Sequence, residues 1–174
     1  MLRFGLSLAA VVFVLDQIAK YLVLSHLHLS GPGCLDLNMH CEQAPVLPFF
    51  QFAMVWNRGV SFGMLRADAD FARWALVLLS FVISGIFFWW LRTATRRLTT
   101  ISLGLVIGGA LGNVVDRIRF GAVADFLDFH PIFPWVFNVA DASITVGAAF
   151  LLLDFLKHGE GKAEPAAAKT PPAA

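Results

Sequence analysis

Charged and amide side chains interrupt the apolar segments of this chain, and their types are those that do acid–base chemistry in proteins. They are Asp16, Lys20, Asn113, Asp116, Arg117 and Asp141. A charged side chain near the centre of a bilayer costs on the order of 3 kcal/mol on insertion scales. Residues that carry such a cost are candidates for a functional site or for buried ion pairs.

The composition predicts the membrane class. Of the 174 residues, 58% are hydrophobic and 14% are charged, whereas soluble domains have roughly 45–50% apolar and about 25% charged residues. The formal net charge of +1 argues against a nucleic-acid partner, which would need a basic face.

The chain has two cysteines, Cys34 and Cys41, which are too few for a disulfide framework or a structural zinc site. A single disulfide between them and two free thiols are both compatible with the sequence.

Four segments are long and apolar enough to cross roughly 30 Å of hydrocarbon, which takes about 20 helical residues. They cover about 4–24, 71–91, 101–117 and 139–156, with external loops at 25–70 and 118–138. The sequence therefore predicts an all-α integral membrane protein with four transmembrane helices and a small external β-rich platform from the first external loop, where 49–56 is strand-like. Residues 1–157 are expected to form one domain. Residues 158–174, rich in Ala, Pro and Lys, are expected to be a disordered cytoplasmic tail.

The loop charges predict the orientation of these spans. The first span is not a cleavable signal peptide, because Asp16 and Lys20 lie inside it and no small-x-small site follows. With the N-terminus inside, the inner side holds seven Lys and Arg residues and the outer side five, so both termini are expected in the cytoplasm. In this topology the six charged and amide residues named above all lie in the outer half or at the outer surface, and Asp154 alone lies near the inner interface. Such convergence at one level predicts a site.

One of these residues, Asp141, forms a candidate pair with a further acid, Asp125. Asp125 follows the third span and Asp141 opens the fourth, so both lie at the same membrane face, joined by a short apolar loop. Two carboxyl groups a few ångströms apart cannot both ionise at low cost, so one keeps its proton. The ionised acid can then take a proton from water while the protonated one hydrogen-bonds a scissile carbonyl. The pair can hydrolyse a peptide without a metal.

Each of these features also has a structural interpretation. Asp16 and Lys20, spaced i,i+4, could form a purely structural ion pair. Asn138 and Asp141 could be the N-cap and third-position acid of the fourth helix, and Asp125 could be an ordinary loop acid. Asn113, Asp116 and Arg117 share a helix face and could pin the third helix to the loop. The small-residue stripe Gly104, Gly108 and Gly112 indicates close helix packing rather than chemistry.

Other catalytic chemistries have weaker support in the sequence. The histidines His26, His28, His40 and His130 lack ligand-like spacing with an acid on a helix, so no metal and no other cofactor is expected. The two cysteines have no nearby base with a third orienting residue. The serines in the spans lie on the wrong side for the acid pair or lack a base.

Five sequence blocks, taken in order, resemble the lipoprotein signal peptidase (signal peptidase II) family over nearly the whole chain, from Asp16 to Gly147. The blocks are Asp16-Gln17-Ile18-Ala19-Lys20, Asn57-Arg58-Gly59-Val60-Ser61-Phe62-Gly63, Gly108-Gly109-Ala110-Leu111-Gly112-Asn113-Val114-Val115-Asp116-Arg117, Val123-Ala124-Asp125-Phe126 and Phe137-Asn138-Val139-Ala140-Asp141. Each block alone is weak. Their order in a four-span chain of this length is highly specific.

The resemblance implies an aspartyl endopeptidase of the bacterial inner membrane, with its active site at the periplasmic face. It implies removal of the signal peptide from diacylglyceryl-modified prolipoproteins, immediately before the lipidated cysteine. The catalytic residues implied are Asp125 and Asp141. The supporting and substrate-positioning residues implied are Asp16, Lys20, Asn57, Gly59, Asn113, Arg117 and Asn138. The expected partners are the prolipoprotein and membrane lipids, the protein is expected to act as a monomer, and the motifs assign no role to Asp128.

The chain departs from the family pattern in one stretch, and two other functions remain open. Residues 30–48 are longer than the usual link to the strand region and contain both cysteines. This departure concerns the external platform and not the residues of the acid pair. A small ion- or proton-coupled transporter could also use buried Asp and Lys, although a relay would place acids at several depths. A purely structural four-helix protein would leave Asp125 with Asp141 unexplained. The Gly-x-Gly-Asp motif of another intramembrane protease class does not occur.

Overall fold

A computed structural model describes residues 1–26, 43–59, 69–130 and 132–159. Its helices are α1 (Leu2–His26), α2 (Ala69–Thr93), α3 (Arg97–Phe120) and α4 (Val139–Gly159). Its strands are β1 (Gln43–Leu47), β2 (Phe50–Asn57) and β3 (Val123–Asp128). Each helix contains a stretch long and apolar enough to cross a membrane. The predicted fold class, four membrane-spanning helices with a small sheet, is confirmed.

Helix α3 lies at the centre of the bundle, and its glycines explain how. An added Cβ on Gly108 would come within 2.5 Å of the Ala9 carbonyl oxygen of α1, and one on Gly109 within 2.5 Å of the Ala140 carbonyl oxygen of α4. Only glycine lets these backbones approach so closely. As a result 72% of the membrane-spanning window of α3 is buried, against 17–28% for the other three helices. The packing interpretation of the glycine stripe is therefore correct.

The sheet differs from the expected platform in its third strand. The strands follow the order β1-β2-β3 and pair antiparallel, but β3 comes from the second external loop, whereas the platform was expected from the first external loop alone. The β2–β3 register aligns Val55 with Asp125 and Asn57 with Val123. The sheet packs its buried residues Met54, Ala124 and Phe126 against Val23 near the end of α1, so it is fixed to the end of the bundle at which α1 finishes.

Two element boundaries place the remaining parts of the site. Helix α3 ends at Phe120 because Gly121 adopts a left-handed conformation with φ of 79° and donates its N–H to the Arg117 carbonyl oxygen. This sharp end lets β3 start at Val123. Helix α4 continues to Gly159, so it includes the first two residues of the expected tail. The rest of the tail, and Cys34 and Cys41, lie outside the described residues.

Candidate active site

Asp125 lies in the middle of β3, and two amides hold its carboxyl group. The side chain is 1% exposed. The Asn57 Nδ2 of β2 donates to Asp125 Oδ2 at 3.0 Å, and the Asn138 Nδ2 donates to Asp125 Oδ1 at 2.7 Å. The pairing of β2 with β3 brings Asn57 to this position, since both residues lie near the same end of the sheet. Asp125 is thus a buried strand residue with a fixed orientation rather than an ordinary loop acid.

Asp141 lies in the first turn of α4 and faces the same amide cluster. The Asn113 Nδ2 of α3 donates to Asp141 Oδ1 at 2.7 Å. The Asp141 backbone N–H donates to Asn138 Oδ1 at 2.8 Å, which is the N-cap hydrogen bond expected of Asn138. The capping interpretation is therefore correct, and the same Asn138 also binds Asp125. One amide side chain starts the helix and connects the two acids.

The two carboxyl groups affect each other electrostatically. Burial of Asp125, the charge of Asp141 and a hydrogen bond with Asp141 together raise the pKa of Asp125 to about 8, against the opposing effect of the Asn57 and Asn138 hydrogen bonds. At neutral pH Asp125 therefore keeps its proton. An acid that holds a proton next to a second carboxyl group can act as a hydrogen-bond donor while its neighbour accepts a proton.

Gly59 fixes the amide of Asn57 through a tight turn. The Gly59 N–H donates to Asn57 Oδ1 at 2.7 Å, which directs Asn57 Nδ2 to Asp125. Gly59 has a φ of +80°, and a Cβ at this position would lie 2.5 Å from a methyl group of Leu76. Both the backbone conformation and the space require glycine. This gives Gly59 a physical role in positioning Asn57.

Asp16 and Lys20 form the expected ion pair, with a second acid that the sequence interpretation did not assign to Lys20. The Lys20 Nζ lies 2.8 Å from Asp16 Oδ2 and 2.7 Å from Asp116 Oδ2. It also donates to Asn113 Oδ1 at 3.2 Å. The expected pair is therefore a three-residue bridge that touches the amide holding Asp141. Nothing local in the sequence indicates that residues 20 and 116 meet.

Arg117 lies beside the acid pair and is partly buried. Its Nη1 donates to the Asn113 carbonyl oxygen at 3.4 Å, and the charges of Asp141, Asp125 and Asp116 act on its guanidinium. This hydrogen bond lies within α3, and the Arg117 Nη2 lies 3.7 Å from the position of an added Cβ on Gly59. Arg117 supplies a positive charge close to both carboxyl groups.

Two side chains near the site have partners that the motifs did not reveal. The Gln17 Nε2 donates to Asp16 Oδ2 at 3.2 Å and to the Gly112 carbonyl oxygen at 3.3 Å. Asp128 accepts a hydrogen bond from Gln51 at 2.6 Å and contacts the His130 ring through its Oδ1. Asp128 is buried, so it has a structural role in the sheet. Among the described residues, no three His, Cys, Asp or Glu side chains are grouped as a metal site.

Known proteins resemble this chain along most of its length. A family model described as signal peptidase (SPase) II matches residues 8–157. The lipoprotein signal peptidase of Caulobacter vibrioides is 43% identical over 158 residues, which cover 90% of this chain and 88% of the relative. The lipoprotein signal peptidase of Methylobacterium radiotolerans is 40% identical over 173 residues, covering 98% and 96%.

A solved structure agrees with the fold. A bacterial membrane enzyme whose structure was obtained by the in meso method superposes with a TM-score of 0.72 and covers 93% of both chains. The sequence identity of 24% limits this likeness to the fold. Together with the four helices able to cross a membrane, it identifies a multi-pass membrane protein.

Proposed function

The chain belongs to the signal peptidase II family, and we propose that it removes the signal peptide from diacylglyceryl-modified prolipoproteins with Asp125 and Asp141 as the catalytic residues. The observation that carries the proposal is the acid pair itself. Asp125 is buried beside Asp141 and holds a proton at neutral pH, while amides from β2, α3 and the start of α4 orient both carboxyl groups. The cleaved bond precedes the lipidated cysteine, as the resemblance implies.

The proposed reaction is a general acid–base hydrolysis. Ionised Asp141 takes a proton from water, the water oxygen attacks the scissile carbonyl carbon, and Asp125 donates its proton to the carbonyl oxygen. When the C–N bond breaks, the proton on Asp141 passes to the leaving nitrogen, and Asp125 regains its proton as the carbonyl re-forms. The products are a signal peptide with a free carboxyl group and a mature chain with a free cysteine amine.

The neighbouring residues divide into two groups in this proposal. Asn57 and Asn138 hold the two oxygens of Asp125, and Asn113 holds one oxygen of Asp141. Arg117 places a positive charge near the carbonyl oxygen where negative charge develops.

We also propose that the site faces the periplasm and that both termini are cytoplasmic, because the Lys and Arg residues are more numerous on the termini side.

The test is cleavage of a diacylglyceryl-modified precursor by the purified protein, followed as a shift on a gel. Asp125→Asn and Asp141→Asn should each abolish cleavage, because an amide cannot donate and accept a proton over the cycle. Asp70→Asn is the matched control, since its side chain is 87% exposed at the start of α2 and it should cleave like the wild type. The double Asn variant should be no worse than either single variant.

Two results would contradict the acid-pair mechanism. Substantial cleavage by either Asn variant would show that a carboxyl group at that position is dispensable. Loss of wild-type activity on addition of a chelator would show a metal requirement that the mechanism does not contain. Loss of precursor binding in the Asn variants would be a different result, because it would place the acids in recognition.

A further inference from the structure

The ion-paired residues Asp16, Lys20 and Asp116 form a bridge that buries three charged groups near the acid pair. Its side chains are 0%, 3% and 1% exposed. Burying three charged groups is expensive, and well-packed apolar side chains of similar volume often stabilise a protein as well or better. Stability of the fold alone therefore does not explain why three charged groups are buried at this place.

The carboxylates of the bridge bind two backbone N–H groups at equivalent places. Asp16 Oδ1 accepts from the Ala140 N–H at 2.9 Å, and Asp116 Oδ2 accepts from the Ala124 N–H at 3.1 Å. Ala140 immediately precedes Asp141 and Ala124 immediately precedes Asp125. Each end of the bridge therefore holds the backbone directly before one acid of the pair.

Lys20 joins these two ends and reaches the pair by a third route. It lies between Asp16 and Asp116, at 2.8 and 2.7 Å. Its ammonium group also binds Asn113 Oδ1, which leaves the Asn113 Nδ2 directed at Asp141. Because an ammonium group can only donate, it fixes which end of the Asn113 amide faces Asp141.

Gly112 shows that the position of the bridge is narrowly limited. A Cβ on Gly112 would lie 2.5 Å from Asp16 Oδ2, which is far inside the contact distance of a carbon and an oxygen atom. The carboxylate of Asp16 therefore occupies the space that a side chain at residue 112 would need. Gly112 gives the glycine stripe of α3 a local task at its outer end.

We propose that the Asp16–Lys20–Asp116 bridge is a positioning device that sets the separation and orientation of Asp125 and Asp141. It does so by holding the backbones of β3 and α4 at their N–H groups and by orienting Asn113. Asp116 is thus a positioning residue for catalysis, although it makes no contact with the reacting atoms. The proposal rests on the acid pair being the catalytic centre.

Asp116 offers a matched pair of variants. The single oxygen Oδ2 accepts from both Lys20 and the Ala124 N–H, so the Asn oxygen in Asp116→Asn can accept both bonds and should retain most of the wild-type kcat. Asp116→Leu removes the acceptor at similar size. It should lower kcat at least about tenfold with little change in KM, since a misplacement of about 1 Å at a reacting centre can lower the rate about 100-fold.

A buried acid at the other end of the bundle serves as the control for stability. Asp154 is 7% exposed and is bound by Thr99 at 2.6 Å. Asp154→Leu should lower the Tm of the protein and leave the kcat of the folded enzyme unchanged. A purely structural role for Asp116 would make Asp116→Leu behave in the same way.

A second variant tests the device without changing its charges. Gly112→Ala should displace the Asp16 carboxylate and lower kcat with an unchanged KM, whereas Gly85→Ala, where an added Cβ meets nothing within 4 Å, should match the wild type. This keeps the test decisive if Asp116→Leu does not fold.

The outcomes separate the two proposals. A wild-type kcat in Asp116→Leu or in Gly112→Ala would overturn the positioning role, and so would equal loss of kcat in Asp116→Asn and Asp116→Leu. In each of those cases cleavage by the wild type, together with inactivity of Asp125→Asn, would leave the proposed function intact. A wild-type protein that does not cleave the precursor would end both proposals.

Discussion

Each end of the helix bundle contains buried acidic side chains, and the two ends differ in the number of acids relative to cations. At the end away from the sheet, Asp154 is the single acid among Thr99, Arg96 and His158, which lie 2.6, 3.6 and 3.2 Å from its oxygens. At the end that carries the sheet, the acids Asp16, Asp116, Asp125 and Asp141 share the cations Lys20 and Arg117.

This difference separates a structural acid from a reactive site. Asp154 has a donor or a cation at each oxygen, and it ties α4 to the first turn of α3, whose N-cap Arg96 makes no side-chain cap hydrogen bond. The end that carries the sheet has more acids than cations. Burial and the charge of Asp141 raise the pKa of Asp125 there, so Asp125 retains a proton at neutral pH.

The largest expected difference between the two ends concerns their cations. Replacement of buried Lys20 by methionine strands two carboxylates and should lower the free energy of unfolding by roughly 3–5 kcal/mol. Arg96 is 51% exposed and lies 3.6 Å from Asp154. Its replacement by methionine should lower the free energy of unfolding by less than about 1 kcal/mol. Denaturant unfolding in detergent would measure both. Similar losses for the two variants would remove the contrast.

The next prediction concerns pH. The pKa of Asp125 is raised to about 8 by burial and by Asp141, so the proton is present below that pH and lost above it. The kcat of cleavage should fall as pH rises through about 8, by about tenfold per pH unit once the proton is lost. Asp154→Asn should keep the same midpoint, and a rate that is constant into strongly alkaline solution would exclude Asp125 as the proton donor.

The smallest effect is expected from the tail. Residues after Lys162 include Pro165, Pro171 and Pro172 and have no apolar periodicity, so the sequence predicts no packed element there. Truncation after Lys162 should leave the cleavage rate and Tm unchanged. A large loss of cleavage would show that the tail contacts the site or a partner.

The sequence predicted the spans and the residues of the acid pair for identifiable physical reasons. Long apolar runs are read directly from composition, and Asp125 and Asp141 stand out because their neighbours in the chain are apolar. The expected cap of Asn138 on α4 was also visible, because capping depends on residues three apart. Each of these signals is local in the chain.

The features that were missed depend on distant partners. Strand β3 has only six residues, and its acids Asp125 and Asp128 are compatible with a loop. The segment is a strand because it pairs with β2. Asp116 was recognised as a polar residue of α3, but its bond to Lys20 joins residues that no spacing rule connects. Tertiary pairing decides both, so neither follows from local pattern.

The burial of α3 has a consequence for how the protein is assembled in the membrane. The other three helices present mostly apolar side chains to lipid, whereas the window of α3 is 72% buried by its neighbours and carries Asn113, Asp116 and Arg117. Before packing, those three polar side chains would face hydrocarbon, which offers them no hydrogen bonds. Helix α3 can therefore exchange lipid for protein only when α1 and α4 are present, and α4 comes last among the helices of the described residues. We therefore expect the proposed acid pair to be completed late in assembly, when α4 docks.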